Sequence, residues 1–269
     1  MDLIIWFWYT NNGDYMKKNI ALITGASSGI GRDMARYLSL KGYDLIIVAR
    51  DKDGLNKLKS ELKTNVEVIP LDLSNVDNCK KLYEQVKEKN IDILINNAGF
   101  GDIGSFRKTS MDKELNMIDL NIKAVHILTK LFLSDFVKRD TGYILNVASS
   151  AAFQPGPLMA TYYSTKSYVY NLTLALYEEL RRMNSKVHIS CLCPGPVDTN
   201  FNNVANCEFK VKSLSSPYVA KYAIDKMFKN KLVIVPGFSI KMLYIFGRIL
   251  PMKLKLKSTY DIQYRKTNK

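Results

Sequence analysis

The sequence predicts one α/β domain: a doubly wound, seven-stranded parallel sheet with helices on both faces. Three observations carry this. From residue 18 onward, short β-rich runs alternate with longer amphipathic segments, the signature of repeated βαβ units. A glycine-rich turn follows the first run directly, where a strand would pass into a helix. No internal repeat, low-complexity stretch or Pro/Gly/Ser linker divides the 269 residues, and a chain of this length can bury one large core. With 47% hydrophobic and 24% charged residues, disorder and a fibrous repeat are excluded. No stretch approaches the roughly 18 uninterrupted apolar residues that a membrane-spanning helix needs.

Strands are expected at 20–24, 45–49, 66–70, 91–96, 143–148, 187–192 and 232–235, and helices near 30–41, 52–63, 75–89, 112–138, 160–183 and 217–229. Right-handed crossovers then place the helices in layers on the two faces. Residues 1–16 are set apart as an N-terminal extension outside the fold. The first nine are apolar but too few to cross a bilayer, and they lack the basic start and cleavage site of a signal peptide. Met16, followed by Lys-Lys-Asn, is a candidate natural start. The domain proper is expected over 17–237, followed by a basic, partly apolar segment at 238–269. Cys79, Cys191, Cys193 and Cys207 lack zinc-site spacing. They are expected to be reduced core thiols of a cytoplasmic protein, with no metal site.

Chemistry is expected where polar residues interrupt the strands. Thr24-Gly25-Ala26-Ser27-Ser28-Gly29-Ile30-Gly31 lies between the first strand and the first helix. Its glycines allow a tight turn whose backbone approaches a pyrophosphate at a helix N-terminus, so this is a dinucleotide site. The second strand ends Val48-Ala49-Arg50, with Asp51 falling after the arginine. A guanidinium there suits a ribose 2′-phosphate, which favours NADP(H) over NAD(H); the alternative is that Arg50 is merely solvated. Small or polar groups also end the fourth strand (Asn96 to Gly99), the fifth (Ala148 to Ser150) and the sixth (Cys193 to Thr199). In an open α/β sheet these ends converge on one crevice. Tyr162 and Lys166 are four apart, hence on one helix face, where an ammonium can stabilise a phenolate. Outside this context the pair would read as a solvated helix pair.

Taken together these residues resemble the short-chain dehydrogenase/reductase family, over about residues 17–236, and so a single-domain Rossmann fold. The serine and the tyrosine are thirteen apart, the family's spacing. The resemblance implies hydride transfer between a nicotinamide and a carbonyl or secondary alcohol. It makes Tyr162 the general acid/base, Ser149 the group that holds the substrate oxygen, and Lys166 the residue that binds the nicotinamide ribose and lowers the tyrosine pKa. Asn121, with Asn116 as the weaker competitor, would anchor a proton-relay water. For the cofactor it implies contacts from Gly25, Ser27, Ser28, Gly29, Ile30, Gly31 and Arg50, with Asp72 and Leu73 near the adenine. Asn97, Ala98 and Gly99 would lie by the adenine ribose and Thr199 by the nicotinamide carboxamide, with Pro194, Gly195 and Val197 also at the cofactor. The end of the chain is similar to members called DltE-like, which resemble hydroxysteroid and long-chain acyl reductases. The family's pairing of two long helices, here near 112–138 and 160–183, implies a homodimer or homotetramer; Leu128, Phe132, Leu172 and Leu176 are candidate outward positions or else core.

The net charge of +14 is concentrated in the tail, where residues 226–269 hold eleven basic residues against Asp261. The main body carries too little for a nucleic-acid footprint. Between 238 and 252 the tail reads as an apolar helix with Lys241 and Arg248 on one side, followed by Lys253, Lys255 and Lys257. It is read as a lid over the pocket, a subunit interface, or a helix lying on an anionic membrane surface. The expected function is an NADP(H)-dependent oxidoreductase of a small or lipid-like carbonyl or alcohol. A non-catalytic NADP(H)-binding regulator, and a membrane-surface protein acting through its tail, are the alternatives.

Overall fold

The computed structural model describes residues 19–199, 201, 213–247 and 250–267. The chain runs β1 (Ile20–Thr24), α1 (Gly29–Leu40), β2 (Asp44–Ala49), α2 (Lys52–Glu61), β3 (Val66–Pro70) and α3 (Val76–Val86). Then come β4 (Ile93–Asn96), α4 (Met111–Ile118), α5 (Val125–Arg139), β5 (Tyr143–Val147), α6 (Ala160–Arg182) and β6 (His188–Leu192). After these follow β7 (Val197–Asp198), β8 (Leu214–Ser215), α7 (Ser216–Met227), β9 (Val233–Ile234), α8 (Phe238–Phe246) and α9 (Met252–Thr267). The main sheet has seven parallel strands in the order β3-β2-β1-β4-β5-β6-β9, with the order reversing between β1 and β4. All seven expected strands are present. β7 pairs with β8 as a separate two-stranded sheet that the sequence reading did not foresee.

Alternation along the strands divides the core into two layers. Ala21 and Ile23 of β1, with Leu45 and Ile47 of β2, pack with Met34 and Leu38 of α1 and Val219 and Ala223 of α7. Leu22, Ile46 and Val48 point the other way, onto Leu82 and Val86 of α3 and Leu128, Phe132 and Phe136 of α5. Strands covered on both faces are apolar at most positions, which is why they read as near-continuous runs. Each fully buried side chain of this size contributes about 1.5–3 kcal/mol. Leu128 and Phe132 therefore belong to the core and not to an outer face, and Leu176 packs against the same layer; Leu172 is half-buried.

Helix boundaries follow local chemistry. Asp51 caps α2 by accepting from the Gly54 amide at 2.9 Å, and Asn75 caps α3 by accepting from Asp77. The long helix expected at 112–138 is interrupted: a π-helical turn, Asp119–Ala124, separates α4 from α5, and it buries Asn121. The N-terminal extension lies outside the described residues, as does most of 200–212.

Candidate active site

The crevice opens at the carboxyl ends of β1, β2, β4, β5 and β6, a cleft of about 660 Å³. Gly25 (φ +65°) and Gly29 (φ +54°) occupy the left-handed region, where a side chain is strained. The turn is held from below. Thr24 Oγ1 accepts from the Asn97 and Ala98 amides, 3.0 Å each, and Asn97 Nδ2 donates to the carbonyls of Thr24 and Gly25 at 3.0 and 3.1 Å. Asn97 lines the cleft, yet its side-chain amide is committed to strapping the glycine turn onto β4. Gly31 stands behind the turn, its Cα facing the Asn97 amide and the Gly25 carbonyl so closely that a methyl group would collide with both. The sequence reading made Gly31 a cofactor contact; it does not line the cleft, and its smallness serves packing. The N-terminus of α1, with no side-chain cap from Ser28, faces the cleft and presents a positive dipole end.

At one end lie Arg50, Asp51, Asp72 and Leu73. The Asp51 carboxylate is engaged as the cap of α2. Asp72 accepts from the amide and hydroxyl of Ser74 at 3.0 and 2.8 Å. Arg50 reaches it only at 3.9 Å, and both side chains stand largely in solvent, so this pair is weakly held.

At the other end α6 brings Tyr162 and Lys166 to the cleft one turn apart, with Lys166 Nζ 5.9 Å from the Tyr162 ring centre. Lys166 is buried, and Nζ donates to the Val147 carbonyl at 3.0 Å. Burial pushes its pKa down to about 8. Ser149, just past β5, lines the same end; its Oγ accepts from the Ala151 amide at 3.1 Å. Asn121 does not reach the cleft surface. Its amide brackets Phe100, accepting from the backbone N–H at 3.1 Å and donating to the carbonyl at 2.9 Å, and it donates to Thr165 Oγ1 at 3.1 Å. A Cβ on Gly99 would stand 2.8 Å from Asn121 Oδ1 and 3.3 Å from Lys166 Nζ. The cradle between β4 and α6 is therefore open only because residue 99 is glycine. Pro194, Gly195, Val197 and Thr199 also line the cleft, as do Ser27, Ser28, Ile30 and Ala98.

Two groups escaped the sequence reading. One is a buried polar ladder behind the site. Asn96 Nδ2 donates to Thr129 Oγ1 (3.0 Å) and Asn146 Oδ1 (2.9 Å), and Asn146 Nδ2 donates to Thr173 Oγ1 (3.0 Å), tying β4 and β5 to α5 and α6. The other is the outer wall: Met159, Tyr163, Phe201 and, from α9, Gln263. Gln263 Nε2 donates to the Tyr163 hydroxyl at 2.6 Å, and Gln154 Nε2 to Thr259 Oγ1 at 2.8 Å. No local motif marks Gln263, which lies a hundred residues from its partner.

Residues 19–208 match the family described as short chain dehydrogenase. The chain belongs to that family. An uncharacterised oxidoreductase of Staphylococcus epidermidis is 33% identical over 186 residues, 68% of this chain and 80% of the relative. A short-chain dehydrogenase from Sphingobium yanoikuyae, solved in complex with NADPH, superimposes with a TM-score of 0.78 at 28% identity, over 86% of this chain and 93% of that one. The 3-ketoacyl-(acyl-carrier-protein) reductase of Brucella melitensis, complexed with NADH, gives 0.72 at 26% identity, over 82% and 98%. The protein is thus a short-chain dehydrogenase of the oxidoreductases, and two of its structural relatives were solved with a nicotinamide cofactor bound.

Proposed function

We propose that the protein is an NADP(H)-dependent oxidoreductase that interconverts a carbonyl and a secondary alcohol on a small or lipid-like substrate. The observation that carries this is the meeting of Ser149, Tyr162 and Lys166 at one end of a cleft whose other end holds Arg50. The glycine turn and the α1 N-terminus between them fit a pyrophosphate, and the glycine at 99 leaves the room that a ring beside Lys166 needs. Arg50 would face the 2′-phosphate; its loose contact with Asp72 leaves the guanidinium free to turn toward it. Asp51, the carboxylate next in sequence, accepts from the Gly54 amide as the cap of α2.

When bound, the nicotinamide supplies or accepts the hydride. The Tyr162 hydroxyl gives or takes the proton at the substrate oxygen, and Ser149 Oγ holds that oxygen by a hydrogen bond. Lys166 sits beside the phenol, where its positive charge favours the phenolate. Asn121 acts through Phe100 and Thr165, keeping the segment after β4 against α6, in addition to the water-anchoring role that the resemblance implies. Met159, Tyr163 and Phe201 offer an apolar wall suited to a lipid-like chain, and an acyl-carrier reductase among the structural relatives supports that class. The buried thiols Cys79, Cys191 and Cys193 are unlinked, which supports a cytoplasmic setting. The test is a panel of ketones, 3-oxoacyl thioesters and their alcohols with each cofactor, followed by nicotinamide absorbance. Turnover with NADPH and a carbonyl is expected; no turnover with any member, or a preference for NADH, overturns the reading.

A further inference from the structure

The last two helices carry a surface unlike the rest of the described molecule. α8 is apolar on nearly every side, the pattern of a buried helix, yet none of its residues is buried. Its inner face packs Ile240 and Tyr244 beside Phe153, with the Tyr244 and Phe153 rings 4.7 Å apart. Its outer face leaves Phe238 at 77% and Phe246 at 53% exposure. In α9, Thr259 faces inward onto Gln154, and Gln263 onto Tyr163 of the cleft wall. Leu254 and Tyr264 stand open, with Tyr260 stacked on Tyr264. Among the described residues, ten of the seventeen exposed large hydrophobics fall between 238 and 264, so the exposure is a patch and not scatter. Lys241, Lys253, Lys257 and Arg265 stand exposed in the same segment, offset by a single acid, Asp261.

We propose that α8 and α9 dock the protein on an anionic lipid surface, with their outer faces in the headgroup region and their inner faces over the cleft. Charge complementarity selects this occupant. A second copy meeting the first through this face would set the cations against one another, whereas an anionic bilayer receives the lysines at the headgroups and the phenylalanine, leucine and tyrosine side chains just beneath. A polyanion such as nucleic acid would neutralise the lysines but leave the aliphatic groups in water. No described helix is long and apolar enough to cross the bilayer, so the contact is peripheral. The docking stands on surface chemistry alone; only its consequence, that a lipid-like substrate enters directly from the membrane, rests on the proposed oxidoreductase reading.

The test is sedimentation of the full chain with vesicles of phosphatidylcholine alone and of phosphatidylcholine mixed with phosphatidylglycerol, at low and high salt. Binding to the mixed vesicles, weakened by salt, is expected. The double variants Phe238→Ser with Phe246→Ser, and Lys253→Glu with Lys257→Glu, should each weaken it at least about tenfold. None of these four residues lines the cleft, so NADPH affinity, read by fluorescence, should stay at the parental value and report an intact fold. Absence of binding by the full chain at low salt overturns the proposal, and so does equal binding by parent and variants. If the phenylalanine variant instead lowers the mass seen by light scattering and leaves vesicle binding unchanged, a second copy covers this face and the proposal fails. Vesicle binding requires no turnover, so a protein that docks but fails the carbonyl panel refutes the catalytic reading alone.

Discussion

Tyr162 and Lys166 illustrate how much of the chemistry rests on the burial of single groups. Burial holds the lysine pKa near 8, against an ordinary 10.5. Below about pH 8 the native protein carries a buried charge at a cost. Between about 8 and 10.5 the unfolded chain binds a proton that the native chain does not, so stability contributed by this site rises with pH across that window. Urea unfolding of the apoprotein and of Lys166→Met should show this as a parent-minus-variant difference that climbs from pH 8 to 10; parallel curves would count against the buried lysine. Tyr162→Phe should lower kcat at least about a hundredfold, within the usual contribution of general acid/base catalysis, with NADPH affinity nearly intact. Near-parental kcat in that variant would exclude Tyr162 as the proton donor. Arg50→Ala should weaken NADPH by about 1.5–3 kcal/mol and leave NADH almost unchanged, measured by fluorescence titration with both; equal losses would make Arg50 a folding residue. These residue positions were legible in the sequence because each sits where a strand ends or at a fixed helical step. Asn97 and Asn121 were legible as positions but not in what their side chains do, since both amides bind backbone that only the folded chain brings near.

Among the elements, the turn between β1 and α1 depends on its support as much as on its glycines. Gly31→Ala would drive a methyl group into the Asn97 amide and the Gly25 carbonyl, both backbone-tied, so the strap must loosen. The expected result is at least about a tenfold loss of NADPH affinity together with about 1–3 kcal/mol of stability, the usual cost of overpacking. Retained affinity with a lowered melting temperature would mean that the strap does not shape the cofactor turn. The strands were readable because a parallel strand buried on both faces leaves a nearly continuous apolar run. The long helices were readable in position but not in continuity, since the π-turn at Asp119–Ala124 lies inside a pattern that a regular helix would also satisfy. β7 and β8, two residues each, are too short to show any periodicity.

At the scale of the whole molecule, Leu128 and Phe132 turn inward, so neither is available to a subunit interface. Leu115 of α4 and Tyr168 of α6 are exposed, the latter bonded to His126 Nδ1 at 2.8 Å. Light scattering at micromolar concentration should find a dimer or tetramer, and Leu115→Asp with Tyr168→Asp should reduce it to a monomer that still binds NADPH. A parental monomer, or a variant of unchanged mass, would remove these helices as the interface. The placing of Tyr162 and Lys166 beside Ser149 came from the family resemblance, while the residues alone determined the seven strands, their parallel sense, the glycine turn, and the convergence of strand-end groups such as Ser149 on one crevice. These follow from local spacing and from the rule that strand ends of an open sheet share a crevice. Only the tertiary structure decided which long-helix residues are core, that α9 carries Gln263 to Tyr163 across a hundred residues of chain, and that α8 keeps an apolar face uncovered. The physical reason is that such contacts depend on how distant elements pack, a relation that composition and periodicity along one segment do not encode.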